Sequence, residues 1–164
     1  MTAVSQVADI PVNKTITVNA SIDRAFTVFT NGFDSWWPKT HHIGTSPLER
    51  SVIEGKVGGR CYGRCVDGTD CPWGTILVWD PPNRFVMAWQ ITPDWKYQPD
   101  LERSSEVEVT FTRIADGSTR VDLEHRRFDR YGDAGGALRK GVDSEGGWGM
   151  LLARFAAEAE KAAA

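Results

Sequence analysis

Apolar and polar residues alternate most regularly in the second half of the chain, over 105–114 and 119–126. The residues that would share one face of these two segments are Val107, Val109, Phe111, Val121, Leu123 and His125. A period of two is typical of strands that bury one face and expose the other. Because Asp116-Gly117 between them is a strong turn signal, the two segments are predicted to form an antiparallel hairpin.

Shorter segments of the same kind precede this hairpin and are separated by glycine, proline and aspartate turn signals. They predict strands over 14–18, 48–54, 60–66, 72–79 and 84–91. Between the first two strands, the sequence predicts a helix that ends near Asn31-Gly32 and a helical turn over 33–37. The order is therefore one strand, two short helices and six further antiparallel strands.

A long C-terminal helix is predicted from Leu138 to Ala163, after a loop over 129–137 that is rich in glycine and aspartate. Its apolar face consists of Trp148, Leu151, Leu152, Phe155 and Ala159. Several glycines weaken its first half and leave a bend or a preceding loop open. The helix can cover the sheet, which predicts an α+β fold in which a curved antiparallel sheet grips the helix. We expect residues 1–13 to form a flexible arm and residues 14–164 a single domain.

Composition and charge argue against several classes of function. The net charge is −3 and the acidic and basic residues are interspersed, which disfavours nucleic acid or an anionic membrane as partner. No apolar run approaches the ~20 residues of a membrane span. The N-terminus lacks the pattern of a secretory signal, so a cytoplasmic location is expected. The sequence contains no phosphate loop, dinucleotide fingerprint or nucleophile motif, and neither a cofactor nor a catalytic residue is predicted.

Seven tryptophans in 164 residues are the unusual feature of the composition. Each one buries a large area and needs a partner for its indole N–H when it is enclosed. Such a number indicates either a very aromatic core or an aromatic-lined cavity, and composition does not separate the two. Trp95 and Tyr97 lie in the polar loop 92–104 and are candidates for a lid over such a cavity.

Several short motifs occur in the order that characterises one superfamily. They are Ala25-Phe26, Trp36-Trp37-Pro38, Val57-Gly58-Gly59-Arg60, Asp67-Gly68, Trp73-Gly74, the block from Trp79 to Trp89, the strand pair that ends at His125, and Gly147-Trp148 followed by Leu152 and Phe155. Over residues 14–160 the chain resembles the START-like (SRPBCC) superfamily, in particular the branch named for the activator of Hsp90 ATPase. The resemblance implies a helix-grip, Bet v 1-like fold with a deep cavity between the concave sheet and the C-terminal helix.

Three functions are compatible with that fold. We expect first the binding of a small hydrophobic or aromatic ligand in the cavity. The alternative is an enzyme, such as a cyclase, dehydratase or hydrolase of a polyketide-like compound. A co-chaperone-type interaction module ranks last, because only the family name suggests it, and a homodimer is left open. The candidate cavity residues are Trp36, Trp37, Trp73, Met87, Trp89, Phe111, Leu123, His125, Trp148 and Leu152.

Histidine and cysteine side chains are the remaining candidates for chemistry. His125 can orient a ligand or act as an acid or base, although a structural role is the somewhat stronger interpretation. His41 and His42 begin a loop without a third metal ligand at suitable spacing, which favours a solvated loop and no metal site. Cys65 and Cys71 flank a hairpin turn, so a regulatory disulfide is a weak alternative to the reduced thiols expected of all three cysteines. The compact basic cluster of Arg126, Arg127 and Arg130 favours surface ion pairs over an anion site.

Overall fold

The structure is a computed structural model that describes residues 10–161. Within these residues, seven strands form one antiparallel sheet in the order β1-β7-β6-β5-β4-β3-β2. The strands are β1 (Val12–Val18), β2 (Leu48–Ile53), β3 (Arg60–Cys65), β4 (Asp70–Asp80), β5 (Arg84–Trp89), β6 (Ser105–Ala115) and β7 (Ser118–Arg126). Strands β2 to β7 each pair with their neighbours in sequence, and β1 joins the sheet beside β7. This arrangement confirms the predicted α+β class and the antiparallel meander.

The helices are α1 (Ile22–Phe29), α2 (Gly135–Val142) and α3 (Trp148–Lys161), with 3-10 turns at Phe33–Ser35, Leu101–Arg103 and Phe128–Ala134. Helix α1 begins where the Ser21 hydroxyl accepts a hydrogen bond from the backbone N–H of Arg24, as an N-cap does. The two short helical segments predicted after the first strand are therefore present. In the part of the chain that is described, no helix is long and apolar enough to cross a membrane.

The C-terminal helix is shorter than predicted, because the segment 138–163 is divided between two helices. Helix α2 ends at Val142 and α3 begins at Trp148, while α2 itself starts inside the predicted loop 129–137. Gly147 explains the break: a Cβ atom at this position would lie 2.0 Å from the carbonyl oxygen of Val142. Only glycine permits so close an approach of the chain to the end of α2. The last predicted helical residues, 162 and 163, lie outside the described residues.

The first strand begins two residues earlier than predicted. Val12 pairs with His125 of β7 and is buried, so it belongs to the sheet rather than to an N-terminal arm. Residues 1–9, which make up most of the predicted arm, lie outside the described part of the chain.

Aromatic rings fill the middle of the concave sheet. Phe29 of α1 lies at the centre, with its ring centroid 4.9–5.9 Å from those of Trp36, Phe85, Phe111 and Phe155. Helix α3 covers the cluster with the predicted stripe of Trp148, Leu151, Leu152, Phe155 and Ala159, all buried. The deep cavity expected between sheet and helix is therefore occupied by side chains in its centre, and open space is left at one end of the sheet.

Candidate ligand-binding cleft

An open cleft of about 350 Å³ lies at this end, between β4, β5, the loop that follows Trp37 and the α2–α3 connection. Its volume falls in the lower part of the range of small-molecule pockets, roughly 300–1,000 Å³. The residues that line it are Trp37, Thr40, His41, His42, Ile43, Trp73, Trp89, Ile91, Trp95, Gly141, Val142, Ser144, Gly146, Gly147, Trp148 and Leu151. The cleft is thus apolar over most of its wall, with a polar group of side chains on the 40–43 loop.

Four tryptophans form a continuous wall of the cleft. The rings of Trp37 and Trp73 are stacked, with centroids 5.9 Å apart and planes 6° apart. Trp73 meets Trp89 edge to face at 5.6 Å, and Trp89 meets Trp148 at 5.7 Å. The Trp37 ring is fixed because its indole N–H donates to the carbonyl oxygen of His41 at 2.8 Å. Such a wall offers flat apolar faces, which suit a planar aromatic partner.

Irregular pairing of β4 brings Trp73 into this wall. The register with β3 shifts between Cys61 and Tyr62, which leaves Trp73 as an extra residue on β4. The register with β5 shifts between Ile76 and Val78. Bulges of this kind change the face to which a side chain points. Trp73 consequently faces the concave side, on the same side as Ile76.

Trp95 partly covers the cleft from the loop between β5 and β6. Its backbone is left-handed, with φ of 63°, an uncommon conformation for a bulky residue. The turn is closed by hydrogen bonds from the Trp95 N–H to Thr92 and from the Thr92 N–H to Lys96, both to carbonyl oxygens. The side chain is half exposed and its ring lies against Gly141 of α2. A strained residue held over a cleft is typical of functional loops.

The polar end of the cleft is formed by the 40–43 loop. The Nε2 atom of His41 lies 3.0 Å from the carbonyl oxygen of Gly146, and its Nδ1 atom lies 3.0 Å from the Thr40 hydroxyl. These contacts tie the loop to the α2–α3 connection. In contrast, the Nδ1 atom of His42 is buried and has no hydrogen-bond partner among residues 10–161. The same is true of the indole nitrogen of Trp89.

His125 lies behind the cleft wall in a closed hydrogen-bond network. Its Nδ1 accepts from the indole N–H of Trp148 at 3.0 Å, so its Nε2 carries the proton and faces the Ser105 hydroxyl at 2.8 Å. The Tyr131 hydroxyl lies 3.1 Å from that of Ser105 and donates to the carbonyl oxygens of Trp89 and Ile91. Burial lowers the pKa of His125 to about 3. The neutral imidazole therefore positions Trp148 and does not reach the cleft itself.

The other predicted site residues divide between cleft and core. Trp37, Trp73, Trp89 and Trp148 line the cleft, as does the lid candidate Trp95. Trp36, Met87, Phe111, Leu123 and Leu152 lie in the packed core and are at most 3% exposed. The second lid candidate, Tyr97, pairs with Ile91 and is not part of the lining. The division follows from helices α1 and α3, which cover the middle of the sheet and leave its end uncovered.

Sequence reasoning missed the 40–43 loop and the α2–α3 connection as cleft walls. It placed His41 and His42 in a solvated loop, whereas both line the cleft. The available signal was their position four residues after Trp36-Trp37, a pair whose rings must diverge. Within residues 10–161, His, Cys, Asp and Glu side chains form no group of three or more suited to a metal ion.

The basic cluster forms surface ion pairs. Arg126 contacts Glu106, Glu108 and Glu124 at 2.6–3.2 Å, and Arg130 contacts Glu106 at 3.3 Å. These carboxylates raise the pKa of Arg126 despite its partial burial. Arg127 pairs with Asp129 at 3.3 Å, so all three arginines of the cluster are already paired.

Two of the three cysteines lie together beneath the cleft loop. The sulfur atoms of Cys65 and Cys71 are 3.9 Å apart, so both are free thiols. Burial and the neighbouring Cys65 raise the pKa of the Cys71 thiol, and burial raises that of Cys61. Higher pKa values reduce the thiolate fraction and hence reactivity near neutral pH.

Gly44→Ala is expected to destabilise the protein by about 1–3 kcal/mol, the usual cost of overpacking. A Cβ atom here would lie 2.7 Å from the sulfur of Cys71 and 2.8 Å from that of Cys65. Urea unfolding at pH 7 measures the loss. Gly146→Ala is the matched control, because no atom lies within 4 Å of its Cβ position. A loss of stability no larger at position 44 than at 146 would contradict the close approach.

Comparison with known proteins identifies the family. Residues 19–160 match the model of the family described as Activator of Hsp90 ATPase homolog 1-like protein. No curated protein sequence matches the chain. Among solved structures, NE0264 from Nitrosomonas europaea is 13% identical over 94% of this chain and 97% of that chain, with a TM-score of 0.65, and this likeness supports the fold alone.

Two solved structures are more similar in sequence. The anthrahydroquino-gamma-pyrone synthase Txn09, complexed with SUM, is 40% identical over 92% of this chain and 97% of that chain, with a TM-score of 0.64. The self-sacrificing resistance protein CalC from Micromonospora echinospora is 30% identical over 94% and 97%, with a TM-score of 0.66. With a curved seven-stranded sheet around a C-terminal helix and a family match over nearly its whole length, the chain belongs to the activator of Hsp90 ATPase homolog 1-like family.

Proposed function

We propose that this protein binds a small planar aromatic molecule in the tryptophan-walled cleft. The observation that carries the proposal is the wall itself: flat indole rings around an open space of about 350 Å³. Flat rings gain more from stacking on indole faces than a flexible alkyl chain of equal size does, because aromatic pairs add ~0.5–1.5 kcal/mol beyond area burial. The name of Txn09 describes a fused aromatic product, which supports the same ligand class.

Anthracene-2-carboxylate is expected to bind this protein with one-to-one stoichiometry and to quench its tryptophan fluorescence saturably. Tetradecanoate, an alkyl carboxylate of similar carbon number, should bind more weakly because it cannot stack on the cleft wall. Trp73→Leu should weaken anthracene-2-carboxylate binding three- to tenfold, the equivalent of one lost aromatic contact of ~0.5–1.5 kcal/mol. Fluorescence titration and calorimetry measure both affinities.

Trp79→Leu is the matched control for Trp73→Leu. Trp79 lies on the same strand, but its ring packs on Phe26 and Phe85 in the core and is absent from the cleft lining. Its replacement should leave the affinity unchanged. Absence of saturable binding, or equal losses in the two variants, would contradict the proposal.

A second candidate function is catalysis on a molecule bound in the same cleft, as a cyclase, dehydratase or hydrolase. The observation that favours it is the 40% identity to a synthase. His125 is enclosed by its own network, so the acid or base would have to be His42, whose Nδ1 atom is free of partners within the described chain. Mass spectrometry of a bound aromatic 1,3-diketone separates the two functions: a binding protein releases it unchanged, while an enzyme changes its composition or ring pattern and depends on His42.

An interaction module receives little support from the surface. The large apolar side chains that are exposed include Val57 and Val66, which lie in separate connections between strands, and Ile114 near the end of β6. Trp95 and Tyr97 belong to the loop beside the cleft. The expected cytoplasmic location and a homodimer stay predictions.

A further inference from the structure

Trp89 combines deep burial with an unused hydrogen-bond donor. Its side chain is 5% exposed and lines the cleft, yet its indole N–H has no acceptor in the described chain. An indole nitrogen can only donate a hydrogen bond. A buried donor without a partner is destabilising, and native proteins leave few of them. This nitrogen therefore requires an explanation.

Two neighbouring tryptophans satisfy their indole N–H groups. Trp36 donates to the carbonyl oxygen of Val28 at 3.1 Å, and Trp148 donates to His125 at 3.0 Å. Over residues 10–161, the buried side-chain polar atoms without a partner are the nitrogen of Trp89 and Nδ1 of His42. Both residues line the same cleft. The missing hydrogen bonds are thus confined to the place where a ligand would bind.

We infer that the ligand carries a hydrogen-bond-accepting oxygen, such as a ring carbonyl, that binds the indole N–H of Trp89. This inference rests on the proposed binding function and specifies its ligand class as an oxygenated planar aromatic, rather than a hydrocarbon. A carbonyl attached to a fused ring projects its oxygen in the ring plane. A ligand stacked on Trp73 can place that oxygen beside Trp89, whose ring meets Trp73 edge to face.

The nitrogen of Trp89 is buried while the residue lines the cleft, so the contact requires its ring to tilt towards the ligand. The tilt breaks no hydrogen bond of that ring, because none is present. A ligand oxygen then accepts a hydrogen bond from a buried donor that otherwise has no partner. This contact gives the oxygenated ligand a higher affinity than the hydrocarbon.

The test compares two probes of the same shape and charge, anthraquinone-2-carboxylate and anthracene-2-carboxylate. The quinone is expected to bind the native protein about tenfold more tightly, in line with one buried hydrogen bond. Trp89→Phe should remove this preference and leave hydrocarbon affinity within about threefold. Trp79→Phe makes the same chemical change at a tryptophan outside the cleft lining and should keep the preference.

A second measurement uses the native protein and does not depend on the folding of a variant. In protein labelled with 15N-tryptophan, the indole proton of Trp89 should move downfield when the quinone binds and not when the hydrocarbon binds. Equal affinities together with equal shifts would overturn the inference while leaving the proposed function intact. Failure of both probes to bind would overturn the proposed function, and the inference with it.

Discussion

Between pH 7 and pH 5 the protein is expected to lose about 2 kcal/mol of folding free energy through His125 alone. Its imidazole is fully buried, and burial lowers its pKa to about 3 from the ordinary 6.5. The unfolded chain therefore takes up a proton as the pH falls below ~6.5, while the folded protein stays unprotonated at this site until about pH 3. Since the unfolded state binds more protons in this window, the folding stability decreases as the pH decreases from about 6.5 to about 3.

His125→Gln isolates this contribution, because an amide does not titrate. At pH 7 the variant should be less stable than the native protein by about 2–4 kcal/mol, since the glutamine amide carries a second N–H that is left unpaired in this fully buried network. Urea unfolding at the two pH values should show this difference shrinking by about 2 kcal/mol at pH 5. Tyr131→Phe is the control: it cuts the far end of the network but keeps the imidazole, and its pH dependence should match that of the native protein. Equal pH dependence in native protein and His125→Gln would contradict a buried neutral histidine.

The sheet could be predicted because its strongest strands follow a strict period of two. In β6 and β7 the alternation of Val107, Val109 and Leu123 with charged residues assigns the faces without ambiguity, and Asp-Gly turns set the connections. The apolar stripe of α3 was equally clear, because its spacing matches 3.6 residues per turn. These signals depend only on residues close together in the sequence, and the structure agrees with them.

The break between α2 and α3 and the direction of Trp73 could not be read from local signals. Gly147 has the same effect on helix propensity wherever it lies, and only its contact with Val142 shows that the chain folds back there. Similarly, Ile76 and Val78 are both apolar, so the sequence pattern does not indicate the register shifts of β4. In both places long-range packing decides between conformations that the residues alone permit.

The aromatic character of the site could be predicted from the sequence better than the set of residues that line it. The alternating pattern places Leu123 on the inward face of its strand, which predicts that it lines the cavity. Helices α1 and α3 cover the middle of the sheet, however, so Leu123 lies in the packed core. Tryptophan content could not distinguish an aromatic core from an aromatic cleft, and the structure contains both. Trp36 lies in the core while Trp37, its neighbour, lines the cleft.

This separation of core and cleft predicts opposite effects of two substitutions. Phe29→Ala should destabilise the protein by about 3–5 kcal/mol, because the fully buried ring sits at the centre of the aromatic cluster and its loss leaves a cavity. Phe29 does not line the cleft, so the protein that remains folded should bind anthracene-2-carboxylate as the native protein does.

Trp95→Gly should have the opposite pattern, with a small effect on stability and a larger effect on binding. Glycine accepts the positive φ of 63° without strain, which offsets the lost contact of a half-exposed ring, and stability should stay within about 1 kcal/mol of the native value. Binding should weaken about three- to tenfold, because the ring that covers the cleft is gone. Urea unfolding and fluorescence titration of both variants test the pair. If Phe29→Ala instead altered the affinity and Trp95→Gly did not, the ligand would lie between sheet and helix in the centre of the fold, where the rings of the core would have to move apart to admit it.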